Sequence, residues 1–166
     1  MRFTFYNGPM PTTAVLAAVA TGTAIKTMLQ IKAFNPVKIS AWGFSLGTGA
    51  TAIDTQVELL DTGTINATVT AAVDADVMKE NGAGDSTVAS VAGLTLATSG
   101  TGYTSSAEGS ITAVKLFDSV IVQPLATYAY QFPLGQEPLI IAGNIGRIRV
   151  KAPVTINMIC WMKIEI

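Results

Sequence analysis

The chain has 166 residues, 49% of them apolar and only 13% charged, and ten Lys+Arg against eleven Asp+Glu leave a net charge of −1. That length suits one domain able to bury a core without disulfide or metal staples. Unclustered cations leave no basic footprint for nucleic acid, the absence of His removes His-based catalysis, and with a single Cys a zinc site is excluded as well.

The first twenty residues, with Phe3, Phe5, Tyr6, Pro9 and Pro11, read as an extended N-terminal arm that needs a surface to lie on. The apolar run Ala14 to Ala20 is too short to span a membrane, which takes about 18 apolar residues or more. Asn7, Gly8, Pro9 and Pro11 also argue against a signal peptide. From residue 21 to 166 the dominant period is two, the signature of strands with one buried face. Ile25, Thr27, Leu29 and Ile31 alternate with Lys26, Met28, Gln30 and Lys32. Val37, Ile39 and Ala41 alternate with Lys38, Ser40 and Trp42, and Val57 and Leu59 with Gln56 and Glu58. Ala71 to Lys79 reads as a loop or an edge strand, and residues 82–110, rich in Gly, Ser, Thr and Ala, as a long excursion from one end of the domain. Ile111 to Phe117, Val120 to Val122, Tyr128 to Leu134 and Ile145 to Lys151 are further strands. The last strand is the clearest: Ile156, Met158, Cys160, Met162, Ile164 and Ile166 share one face. Turn signals at Asn35-Pro36, Gly47-Thr48-Gly49, Asp61-Thr62-Gly63, Asn81-Gly82, Gly135 and Gly143-Asn144 separate these runs. The pattern predicts an all-β, antiparallel β-sandwich of about eight to ten strands, of the jelly-roll kind.

Chemical motifs fail on inspection. Gly43-Phe44-Ser45-Leu46-Gly47 matches the nucleophile elbow, but that motif needs a His base and a following helix. Gly47-Thr48-Gly49-Ala50-Thr51-Ala52 resembles a dinucleotide fingerprint but leads into a strand pattern, Asp54 to Leu60, instead of a helix. Asp74, Asp76, Glu80 and Asp85 miss the calcium-loop spacing, because Met78 and Lys79 stand where an oxygen ligand and a glycine belong. The expectation is a non-enzyme with no catalytic residue, metal or cofactor.

Sparse charge gives the surface little self-repulsion, so neighbouring subunits are expected to cover part of it. Candidate contact residues are Phe3, Phe5 and Tyr6 of the arm, Trp42 and Trp161 on the less apolar faces of their strands, and Arg147 and Arg149 on one strand face. Tyr103, Tyr128 and Tyr130 are the aromatics available to stack on a sugar.

Several stretches resemble a group of tailed-phage virion proteins. They are Ala20 to Gln30 (ATGTAIKTMLQ), Ala41-Trp42-Gly43-Phe44-Ser45, Val57-Glu58-Leu59, Tyr130 to Pro138 (YQFPLGQEP), Ile148 to Pro153 (IRVKAP) and Trp161-Met162-Lys163-Ile164-Glu165. The similarity spans most of the chain apart from roughly residues 70–110. The resemblance implies a single jelly roll on the capsid surface, acting as a decoration (cement) protein. Its partners would be itself, as a homotrimer, and the major capsid protein, with neither nucleic acid nor membrane. A main shell or tail subunit, and a carbohydrate- or receptor-binding jelly-roll module, are the competing expectations.

Overall fold

The computed structural model describes residues 1–49, 53–80 and 92–166. It is an all-β sandwich of two antiparallel sheets. The strands are β1 (Arg2–Tyr6), β2 (Val19–Ala20), β3 (Lys26–Lys32), β4 (Val37–Leu46), β5 (Thr55–Asp61), β6 (Thr68–Ala71), β7 (Met78–Lys79), β8 (Gly102–Ala107), β9 (Lys115–Val122), β10 (Thr127–Gln131), β11 (Leu139–Ile140), β12 (Ile145–Lys151) and β13 (Asn157–Glu165). One sheet runs β10-β4-β13-β1-β7, with β11 added to β4 and β2 to β13; the other runs β6-β8-β3-β12-β5-β9.

The pairing is nested. β1 pairs with β13, β3 with β12, β4 with β10 and β5 with β9, so the chain folds back on itself like one long hairpin wrapped into two layers. Residues between β5 and β9 form the tip of that hairpin, and the strands there extend both sheets at the far side. Between the layers lies one core, including Met158, Cys160, Met162 and Ile164 of β13 facing Leu29 and Ile31 of β3, Val57 and Leu59 of β5, and Ile148 and Val150 of β12. Burial raises the Cys160 thiol well above its ordinary value, so it packs as a small apolar side chain.

Four pairings shift register, the β6/β8 pair between Thr68 and Thr70 among them, and the other three are single-residue β-bulges that break the period of two. Ile164 faces Ile39 while Lys163 faces Ala41, which leaves Ser40 as the extra residue of β4. Val37 and Ile39 therefore point inward before the bulge, and Trp42, Phe44 and Leu46 after it. Trp42 does not lie on an outer face, as simple alternation predicts; it is fully buried. In β3 the extra residue is Met28, which joins the core while Thr27 turns outward beside Arg149. In β9 it is Phe117.

The N-terminal arm is only partly an arm. Residues 2–6 form a strand inside the sheet, between β13 and β7, and Phe3 and Phe5 lie in the protein's own core. The Arg2-Phe3-Thr4-Phe5 alternation explains this, since both phenylalanines face inward. Asn7 anchors the exit: its side chain donates to the Met158 carbonyl (3.0 Å) and accepts from the Cys160 N–H (2.9 Å). Most of residues 8–18 are exposed. The expected excursion is also largely structured where it is described. β8 lies between β6 and β3, and Ala92 and Leu94 are buried in the core; residues 82–91 fall outside the described residues.

At the opposite edge, β7 is fastened to β1 by Glu80. Its Oε1 accepts from the Thr4 hydroxyl (2.7 Å) and pairs with Lys163 Nζ (2.5 Å). Those two hydrogen bonds hold the Glu80 carboxyl below its ordinary value of 4.5. A carboxyl depressed on folding stabilises fully above its unfolded value and loses that contribution as pH falls through the folded one. Glu80→Gln should therefore cost on the order of 1 kcal/mol at neutral pH. Urea titrations of the two proteins should converge as pH drops below 4.5.

Candidate functional site

The structure divides the predicted contact residues. Phe3, Phe5, Trp42 and Arg147 are buried within the chain's own fold and are not surface contact residues. Trp42 Nε1 donates to Asp118 Oδ2 (3.1 Å), which also accepts from the Tyr128 hydroxyl (2.8 Å). Burial, reinforced by that hydrogen bond, pushes the Tyr128 hydroxyl up to about 12. Tyr128 packs against Trp42 and Phe44, with ring centroids 5.4 and 5.6 Å away, so it is not an exposed sugar platform. Tyr103 packs against the core as well, leaving Tyr130 as the exposed member of that trio.

Arg147 and Arg149 do not form an open cationic row. Arg149 Nε and Nη2 donate to Glu58 Oε1 at 2.8 and 2.5 Å. Arg147 is covered by the loop after β5 and the end of β8. Its guanidinium donates to the Ile65 carbonyl, to the Glu108 carbonyl (3.0 Å) and to Glu108 Oε2 (3.4 Å). Glu108 also accepts from the Thr27 N–H and hydroxyl, both at 2.6 Å, and from Ser105. Burial lowers Arg147 to about 10 despite the opposing pull of Glu108, and its Nε finds no acceptor among the described residues. This cluster fastens two loops to the outer face of a sheet.

Two of the acidic residues considered for calcium have other occupations. Asp76 accepts from the Met10 and Val73 N–H groups, and Glu80 is held as described. Asp85 lies outside the described residues. Among the described residues no three His, Cys, Asp or Glu side chains converge on a point. Ser45, of the elbow-like motif, sits in β4 with its hydroxyl 3.1 Å from that of Thr127.

Two surfaces stand out. The first is the flank where β9 and β10, edge strands of opposite sheets, meet across Asp118. Among the described residues, eight apolar side chains pack against the core while only partly buried; Val19, Leu96 and Tyr103 lie elsewhere, and the other five gather here: Phe117, Val120, Val122, Tyr128 and Phe132. Leu116, Ile121, Leu125, Tyr130 and Leu134 are exposed around them, Ile121 at 67% and Leu134 at 91%. No charged residue occurs between Asp118 and Glu137. Sequence reasoning missed this flank because which strands become edges depends on the wrapping of the whole chain. The uncharged stretch was its one visible sign.

The second is a cleft of about 250 Å³ on the outer face of the seven-stranded sheet, lined by Arg2, Ser40, Ala41, Tyr130, Trp161 and Lys163, among others. Trp161 is partly exposed there. Tyr6 lines a separate apolar hollow with Met10, Pro11, Leu16, Met78 and Ile159. Compared with known proteins, the chain matches no family model, no curated protein and no solved structure.

Proposed function

We propose that the chain is a structural virion protein of a tailed phage, decorating the capsid surface and stabilising the head through subunit–subunit contacts. The β9/β10 flank carries this reading. Inward-facing apolar side chains left partly open along one flank and ringed by exposed apolar residues describe a core completed by a neighbour. Further support comes from the low charge, the exposed apolar segment after β1, and the alternation of the nested strands between layers that a jelly roll requires. The partners are then other copies of the chain, as a homotrimer, and the major capsid protein. The mechanism is adhesive: rigid sandwiches clamp the shell and turn over no substrate.

Light-scattering mass tests the first contact. A species three times the chain's 17.3 kDa is expected. Ile121→Lys, placing a charge on an exposed position of the edge strand, should convert it to a folded monomer. Immunogold labelling of purified particles tests the second contact: label on the heads is expected, and label confined to tails, or absent, would overturn the capsid assignment.

A further inference from the structure

The Trp161 cleft has a chemistry of its own. β13 turns Met158, Cys160, Met162 and Ile164 inward and presents Trp161 on the outer face. The indole settles against Gly43 of the neighbouring strand. A Cβ at Gly43 would stand 2.6 Å from Trp161 Cζ2 and 2.6 Å from the Tyr128 carbonyl oxygen, so only glycine admits the ring there. Ala41 and Ala129 keep the rest of the floor small, and Ser40, Gln131, Arg2 and Lys163 bring hydrogen-bonding groups to the margin.

The charges at this margin are already paired. Arg2 Nε lies 3.5 Å from Glu165 Oε2, and Lys163 Nζ lies 2.5 Å from Glu80 Oε1. The cleft therefore offers no uncompensated cation to a phosphate, an acidic sugar or an acidic peptide. What it offers is the Trp161 indole, resting on Gly43 and with Lys163 Nζ 5.9 Å from its ring centroid, beside an amide, a hydroxyl and a guanidinium, so a ligand stacks on the part of the ring that Lys163 leaves open. A pyranose has the matching character, an apolar C–H face edged by hydroxyls.

We propose that this cleft binds an uncharged sugar unit of a polysaccharide, with Trp161 as the stacking platform and Gln131 and Arg2 as donors to the ring hydroxyls. The cleft's small volume suits a single sugar ring recognised within a longer chain. A protein partner is less well matched, because Ser45 and Thr127 on the same outer face are polar and hydrogen-bonded to one another. The assignment needs no capsid, but the cleft shares Tyr130 with the β9/β10 flank, so a subunit seated on that flank would border the bound sugar.

Affinity electrophoresis of the full chain through gels containing neutral polysaccharides (a dextran, a mannan, a galactan, a soluble chitin derivative) tests it. Retardation by at least one is expected. Trp161→Ala should weaken it about tenfold, as loss of a central aromatic anchor does, and Gln131→Ala, at an exposed position that folding does not depend on, should weaken it several-fold. Intrinsic fluorescence gives a second readout. The chain has two tryptophans and Trp42 is fully buried, so a change in emission on adding the retarding sugar must vanish in Trp161→Phe if Trp161 is the platform. Retardation by none of the gels, retardation unchanged in both Trp161→Ala and Gln131→Ala, or Trp161 becoming inaccessible to quencher through a protein contact would each overturn the proposal.

Discussion

Deletion of Ser40 is expected to abolish the native fold, whereas Ser40→Ala should leave it nearly untouched. Ser40 is the extra residue that changes parity in β4. Without it, either Trp42, Phe44 and Leu46 turn to solvent, or Val37 and Ile39 do, because a one-residue slip exchanges the faces of a strand. Burial of each large apolar side chain is worth about 2 kcal/mol, so the first outcome forfeits about 6 kcal/mol or more. A domain of this kind has a total stability of about 5–15 kcal/mol. The side chain itself does little: its hydroxyl lies 3.5 Å from the Lys163 carbonyl. Its backbone carbonyl, which accepts from Phe132 N–H at 3.0 Å, survives in the alanine variant. Near-UV circular dichroism, dominated by the Trp42, Phe44 and Tyr128 packing, distinguishes the two variants. A deletion protein retaining native signal and a cooperative transition would show that the bulge does not set the register.

The second large effect concerns the fully buried Arg147. Glu108→Ala should destabilise by about 3 kcal/mol, since removing one partner of a buried pair strands the other charge. It also strips the acceptor from the Thr27 N–H and hydroxyl. Arg147→Met should cost less, about 1 kcal/mol. Desolvation dominates the Arg147 environment, so removing the charge relieves a burden while Glu108 keeps Thr27 and Ser105 as donors. The sign of the pH dependence follows. A cation whose folded value is lowered to about 10, below its ordinary value in the unfolded chain, makes the native state bind fewer protons between those values. Its contribution to stability therefore rises with pH there, and the Met variant should lack it. Denaturant midpoints for the two variants decide the matter; equal losses, or a reversed order, would refute this account of the cluster.

How far these features were legible in the sequence depends on whether they are local. The alternation of β13 and the inward Val57 and Leu59 of β5 follow from period two alone, and so does the sandwich class. Trp161 on an outer face was readable for the same reason. The bulges were not, because an extra residue is defined only against the register of a partner strand distant in sequence; Trp42 and Thr27 were misassigned for that reason. The N-terminal strand was readable from Phe3 and Phe5 but masked by the prolines that follow. Arg147 looked like a surface cation because nothing local announces that the loop at Ile65 and the turn at Glu108 close over it.

The nested pairing also has a consequence in time. β13 sits at the centre of its sheet, between β4 and β1, so that sheet has no middle until the last strand has been synthesised. The β5–β9 pair can form earlier, but β1 must wait for a partner more than 150 residues away, as the Asn7–Cys160 contact shows. Such non-local closure places folding in the slow range, milliseconds to seconds, and leaves β4 and the phenylalanines of β1 uncovered on the nascent chain. A pulse-labelling hydrogen-exchange experiment should find amides of β5 and β9 protected before those of β1.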